Sequence, residues 1–80
     1  DVAARLVFLG RLQDVAGGAE REVGPGALAD ILTTLSPELA LAITDERVRW
    51  ALNGELIGEH GAIDLADGDE LAFLPPVSGG

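Results

Sequence analysis

A chain of eighty residues without a single cysteine must hold its fold together by packing alone. Neither a disulfide framework nor a thiolate metal site is available to it. A domain of this size buries only about 60–65% of the surface that its unfolded chain exposes. It therefore has one small core, for which 48% hydrophobic residues are sufficient. We expect a single compact domain with no deep active site of its own.

The charge balance excludes several classes of partner. The formal net charge is −9, and all five basic residues are arginine. Such a surface repels phosphate backbones and anionic membranes, so we expect neither nucleic acid nor a membrane as a partner. A partner attracted over a long distance would present a basic face. No stretch is apolar enough to span a bilayer, and no secretion signal opens the chain, so the sequence predicts a cytoplasmic protein.

Hydrophobic spacing in the first half of the chain predicts a strand, a short helix, a second strand and a longer helix. Residues 4–9 suit a strand with neighbours on both sides, and the spacing over 12–16 suits a short helix stopped by glycine. Residues 19–23 are expected to pair with the first strand. Residues 28–35 form the main predicted helix, which Pro37 ends at the preceding residue before opening a short turn. The stripe of this helix holds four aliphatic side chains: Leu28, Ile31, Leu32 and Leu35.

The second half of the chain is typical of a hairpin followed by one last strand. Two runs of strand-forming residues flank Asn53-Gly54, and this dipeptide favours the tight turn of a hairpin. A turn over residues 66–70 precedes a final strand over 71–74, which Pro75-Pro76 must end. The predicted fold class is therefore α+β, a mixed sheet with its helices on one face.

Side chains that could carry catalysis are few and isolated. His60 is the only histidine, and without cysteine or a second histidine no metal cluster forms around it. The carboxylates between residues 64 and 70 lack the spacing of a calcium loop and suit a solvated turn. The glycine pairs lack the patterns that bind phosphate, and Trp50 suits the core. The sequence predicts no metal site.

The C-terminal segment is different in kind. Pro75-Pro76 favours extended geometry, and residues 76–80 span about 16–18 Å when fully extended. Val77 offers an apolar contact, while Gly79 and Gly80 have no side chain and can pass through a narrow channel. The residues alone leave two interpretations. One is a frayed chain end without function, and the other is a stalk that presents a terminal carboxylate.

Residues 65–80, together with residues 51–54, resemble the small subunits of molybdopterin synthase, a family of ubiquitin-like sulfur carriers. The turn, Phe73, the Pro-Pro pair and the terminal Gly-Gly occur together at the end of the chain. The resemblance implies a β-grasp fold, with a domain over residues 1–74 and an extended tail over 75–80. Many family members carry a second aromatic residue beside Phe73, where this chain has Leu74.

The resemblance also implies a chemistry for the tail. An activating enzyme would use ATP to convert Gly80 into an acyl-adenylate, and a sulfur donor would then form a thiocarboxylate for the dithiolene of the molybdenum cofactor. The chain would be a sulfur carrier and no enzyme, without a bound cofactor, and it would form a heterotetramer with a large subunit that holds the catalytic residues. Gly79 and Ser78 would pass into that subunit. The expected partner-binding residues are Phe73, Pro75, Pro76 and Val77.

Two alternatives stay open. Within the same class, the chain could deliver sulfur to thiazole, tungsten-cofactor or amino-acid biosynthesis. From a different class, it could be a non-covalent β-grasp interaction module, which would keep its function when Gly79 and Gly80 are deleted. For Phe73, the alternative to a docking patch is burial in the core, because a core this small can hardly spare a phenylalanine.

Overall fold

The structure is a computed structural model that describes residues 3–58 and 62–76. Three helices and seven strands follow one another along these residues. In chain order they are β1 (Ala4–Phe8), α1 (Leu12–Ala16), β2 (Glu20–Val23), β3 (Gly26–Ala27), α2 (Leu28–Leu32), α3 (Pro37–Ile43), β4 (Arg49–Leu52), β5 (Glu55–Ile57), β6 (Asp64–Leu65) and β7 (Glu70–Leu74).

Five strands form one mixed sheet in the order β2-β1-β7-β4-β5. β7 is the middle strand, parallel to β1 and antiparallel to β4. β1 has neighbours on both sides, and β2 pairs back on it, as the sequence predicts. The strands β3 and β6 form a separate pair that the sequence did not predict. The α+β class is confirmed.

The predicted hairpin is also confirmed. β4 and β5 pair across Asn53 and Gly54, with Leu52 opposite Glu55. The backbone φ angles of Asn53 and Gly54 are 52° and 86°. A two-residue turn that matches the twist of its strands requires positive φ at both of these positions.

The main predicted helix is shorter than its apolar stripe. α2 ends at Leu32, three residues before the predicted end. The hydroxyl groups of Thr33 and Thr34 donate to main-chain carbonyls three residues earlier, at 2.6 and 2.7 Å. The backbone N–H groups of the same two residues also donate to carbonyls three residues back. This tighter pattern ends the α-helix, because it removes the i−4 bonds that would continue it.

The longest helix is α3, where the sequence predicted only a short turn. It opens with Pro37 at its first position, where the missing N–H costs nothing. The hydroxyl of Ser36 accepts a hydrogen bond from the backbone N–H of Leu39 at 3.2 Å. This bond satisfies one of the N–H groups that have no partner within the helix.

The core lies between the inner face of the sheet and the helices, so the predicted placement of the helices on one face is confirmed. Alternate residues of β1, β4 and β7 point into it, and Trp50 is buried there as expected. The aliphatic and aromatic side chains of the cluster are Ala4, Leu6, Phe8, Leu12, Leu28, Ile31, Leu35, Leu39, Ile43, Val48, Trp50, Leu65, Leu71 and Phe73.

The structure corrects one expectation about the site. Phe73 was predicted to belong to an exposed docking patch, but its side chain is 0% exposed. Its position in β7 is opposite Trp50 on one side and Phe8 on the other, so it faces the core. Phe73 therefore cannot contact a partner directly. Among residues 3–58 and 62–76, no helix is long and apolar enough to cross a membrane.

Candidate functional site: the base of the C-terminal tail

The tail leaves the domain from the middle of the sheet. β7 has hydrogen-bonded neighbours on both sides, and it ends at Leu74. Beyond the regular ladder, the backbone N–H of Leu9 donates to the carbonyl of Phe73 at 3.2 Å. Proline cannot continue a ladder because it has no N–H. The chain therefore leaves the strand at Pro75 from a point that is held on both sides.

The side chain of Phe73 packs in the core at the end of β7, where the tail begins. Its ring stacks on that of Phe8, with centroids 5.6 Å apart and an interplanar angle of 19°. Its ring also meets Trp50 edge-on at 5.6 Å and 89°. The indole Nε1–H of Trp50 donates to the carbonyl of Ile43 at 2.9 Å. The three aromatic rings thus connect the base of the tail to the end of α3.

Gly10 allows the tail to approach the end of β1. Its φ is +56°, and a Cβ added there would lie 3.1 Å from the Cγ of Pro75. A side chain at this position would meet both an unfavourable backbone conformation and a steric contact. The sequence predicts a strand over residues 4–9, directly before Gly10, and does not predict this contact. A glycine directly after a buried strand was the available signal.

Pro75 and Pro76 form a ridge with a groove on each side. The larger groove, of about 680 Å³, lies toward β4. The smaller one, of about 290 Å³, lies toward α1 and the end of α3. Pro75, Pro76 and Arg47 line both grooves. Leu74 and the two prolines are half-buried, so the ridge and the residue before it present apolar surface.

Arginine side chains flank the ridge, although the chain is acidic overall. Arg49 lines the larger groove, Arg11 lines the smaller one, and Arg47 lines both. Arg47 is paired with Asp45 by two side-chain bonds of 3.1 Å. This pair lowers the pKa of Asp45 to about 2, chiefly through the side-chain hydrogen bonds from Arg47. The sequence does not predict that these arginines lie together, because they come from separate segments that only the fold brings together.

The turn before β7 is held by its own polar side chains. Asp69 accepts hydrogen bonds from the N–H of Ala66 at 2.9 Å and from the side-chain amide of Asn53 at 3.1 Å. These bonds, the one from Ala66 first, lower the pKa of Asp69. The side-chain oxygen of Asn53 accepts from the N–H of Glu70 at 3.0 Å. The predicted turn is confirmed for Asp67 and Asp69, whereas Asp64 lies in β6 and Glu70 is the first residue of β7.

Of the predicted site residues, Phe73, Pro75 and Pro76 lie in the described part of the chain, at the base of the tail. Residues 77–80, which include Val77, Ser78, Gly79 and Gly80, lie outside it, as does His60. Within residues 3–58 and 62–76, no group of three or more His, Cys, Asp or Glu side chains could hold a metal ion.

Comparison with known proteins decides which family has this architecture. The family model described as the ThiS family matches residues 6–80. The chain belongs to the ThiS family. The molybdopterin synthase sulfur carrier subunit of Escherichia coli is similar to this ThiS-family chain, with 33% identity over 95% of the chain and 98% of the relative. The expected family resemblance is confirmed.

Solved structures show the same fold. The small archaeal modifier protein 1 of Methanosarcina acetivorans is 27% identical, with a TM-score of 0.75 over 99% of this chain and 97% of that one. A complex of subunits 1 and 2 of the molybdopterin-converting factor from Helicobacter pylori contains a chain that is 26% identical, with a TM-score of 0.65 over 98% and 99%. The expected β-grasp fold of this ThiS-family chain is confirmed.

Proposed function

We propose that this chain is the sulfur carrier subunit of molybdopterin synthase and that it carries sulfur as a thiocarboxylate on Gly80. The observation that carries the proposal is the similarity to the Escherichia coli subunit over nearly the whole length of both chains. The fold supports the proposal, because the tail follows β7, the middle strand of the sheet, and contains Gly79-Gly80.

The proposed chemistry takes place on the chain's own carboxylate. An oxygen of the Gly80 carboxylate attacks the α-phosphorus of ATP on an activating enzyme and displaces pyrophosphate. A hydrosulfide equivalent from a sulfur donor then attacks the acyl carbon, and AMP leaves with the oxygen that linked it. The C–O bond is replaced by a C–S bond without any change of oxidation state at carbon. Activation is needed because a free carboxylate is a poor acyl electrophile.

The thiocarboxylate sulfur would then attack a cyclic pyranopterin monophosphate in the large subunit, and two loaded carriers would supply one dithiolene. The acids and bases of this step would belong to the large subunit of a heterotetramer. The complex from Helicobacter pylori supports a partner of this kind. The chain itself would bind no cofactor and would act in the cytoplasm. Because Phe73 is buried, the apolar docking contact would be made by Leu74, Pro75, Pro76 and Val77.

Intact-mass spectrometry tests the proposal. The chain is incubated with an activating enzyme, ATP and a sulfide source, and the expected result is replacement of one oxygen by sulfur at the C-terminal residue. Deletion of Gly80 should abolish this mass change, and omission of ATP is the matched control. Sulfur found on an internal residue, or dithiolene formation by a chain that lacks Gly79 and Gly80, would contradict the proposal.

The similarity to an archaeal modifier protein favours a second candidate function, attachment of Gly80 to lysine side chains of other proteins. The adenylate of Gly80 would then react with an amine in place of a sulfur donor. The sequence contains no lysine, so copies of this chain would not be linked to one another through lysine. Conjugates larger than the chain, formed with ATP and lost after Gly80 is deleted, would support this function.

A further inference from the structure

Two arginines at the base of the tail have no carboxylate partner in the part of the chain that the structure describes. Arg11 directly precedes α1, and Arg49 opens β4 opposite Leu74. Both side chains are exposed. Neither takes part in any salt bridge formed among residues 3–58 and 62–76. They lie in different grooves, one on each side of the ridge formed by Pro75 and Pro76.

The other three arginines are already engaged within the chain. Arg5 forms salt bridges with one carboxylate of β2 at 3.5 Å and one of β7 at 2.7 Å. Arg47 is paired with Asp45. Arg21 donates to a main-chain carbonyl at 3.4 Å. The guanidinium groups with no internal partner are therefore found at the ridge.

The charged side chains that line the two grooves carry a small net positive charge, opposite in sign to the net charge of the whole chain. The carboxylates of Asp45 and Glu46 lie beside the guanidinium groups of Arg11, Arg47 and Arg49. Three positive groups against two negative ones leave one net positive charge, whereas the whole chain carries −9. A partner that covers the ridge must therefore complement a positive patch, even if its more distant surface is basic.

We propose that Arg11 and Arg49 bind carboxylate side chains of the protein that receives the tail, one on each side of the ridge. The inference rests on the proposed function, which makes the large subunit that protein. An arginine covered by an interface without a partner loses its hydration and gains nothing in return. A carboxylate can accept two parallel hydrogen bonds from a guanidinium group, which fixes direction as well as distance. Two such contacts flanking the ridge fix the direction in which the tail enters.

The experiment measures the affinity of the full chain for the large subunit at constant ionic strength, by calorimetry. Arg11 and Arg49 are changed together to Lys, to Gln and to Glu, and each is also changed alone to Gln. R21Q removes one positive charge away from the ridge, so it is the matched control for the two single variants. We expect Kd to rise roughly 10–100-fold in R11Q/R49Q, further in R11E/R49E and less in R11K/R49K. R21Q should stay within about twofold of the unchanged chain.

The relative affinities of the variants for the large subunit decide between the outcomes. If R11E/R49E binds as tightly as the unchanged chain, or more tightly, the facing surface is not acidic and the inference is overturned. Equal effects of R11Q, R49Q and R21Q would overturn it too. Failure of the unchanged chain to bind the large subunit would instead overturn the proposed function, and the inference with it. Both side chains are exposed, so we expect the urea midpoints to stay unchanged, and the single variants replace any double variant that unfolds.

Discussion

Gly10 lies so close to Pro75 that a Cβ on Gly10 would be 3.1 Å from the Cγ of the proline. This contact joins the loop after β1 to the first residue of the tail. The approach requires glycine for two reasons, the positive φ and the lack of space. The direction in which the tail leaves the sheet therefore depends on a residue more than sixty positions earlier in the chain.

The first prediction follows from this contact. Gly10→Ala should lower the free energy of unfolding by about 1–3 kcal/mol, because alanine is unfavourable at positive φ and its methyl group must displace Pro75. Gly18→Ala is the matched control, since nothing lies within 4 Å of the added Cβ there. Urea unfolding of the two variants measures the difference. Equal stability of the two variants would show that the contact imposes no constraint.

The second prediction separates packing from docking at the end of β7. Phe73→Ala should destabilise the domain by about 3–5 kcal/mol, because it leaves a cavity between Phe8 and Trp50. Leu74→Ala removes a half-buried side chain beside the ridge and should cost less stability, yet it should weaken binding to the large subunit. Thermal unfolding and calorimetric titration measure the two effects. A folded Phe73→Ala variant with a normal urea midpoint and impaired binding would contradict the buried role.

Some of the fold could be predicted from the sequence because the signal was local. Asn53-Gly54 contains its whole turn requirement in two residues, and the burial of Trp50 followed from strand alternation. The β3–β6 pair was missed because two-residue strands have no period. The helix over 28–35 was predicted too long, since an apolar stripe does not reveal that the hydroxyls of Thr33 and Thr34 turn back to the carbonyls behind them.

The tail was predicted from the Pro-Pro and Gly-Gly pairs together with the family resemblance, because the pairs alone also fitted a frayed chain end. Of these residues, Pro75 and Pro76 lie in the described part of the chain, and the role of Gly79 and Gly80 stays a prediction. Phe73 was assigned to the wrong surface because proximity to a tail does not fix the face of a strand, whereas its register with Phe8 and Trp50 does. The arginine pair at the ridge depends on two distant segments meeting beside Pro75. No local sequence pattern indicates that these two segments lie side by side.

The third prediction concerns pH. The pKa of Asp69 is lowered in the folded chain below its ordinary value of 3.8, by hydrogen bonds from Ala66 and Asn53. A carboxylate with a depressed folded pKa contributes stability that is present above the unfolded pKa and is lost as the pH falls through the folded pKa. The urea midpoint should therefore fall as the pH drops below about 4. In Asp69→Ala, the fall should be shallower, because the hydrogen-bonded carboxylate is absent.

Parallel profiles for Asp69→Ala and the unchanged chain would show that the Asp69 bonds do not contribute. A second variant, Asn53→Ala, removes the amide donor but leaves the bond from Ala66 in place. It should give a profile between the other two, because the bond from Ala66 is the largest cause of the shift. Far-UV circular dichroism at each pH confirms that the starting state is folded.

The last prediction concerns how a partner finds the tail. The chain carries −9 overall but is positive at the ridge, so its charge is polarised between the tail base and the rest of the surface. Complementary patches on the large subunit would orient the encounter over a distance set by the screening length, which falls from about 30 Å at 0.01 M salt to about 8 Å at physiological ionic strength.

The association rate should therefore fall steeply as salt rises. The dissociation rate should change less, because it depends on the apolar ridge and the inserted tail. Stopped-flow measurements across a salt series separate the two rates, and R11Q and R49Q should each show a weaker salt dependence of association than R21Q. An association rate that does not change with ionic strength would exclude electrostatic steering.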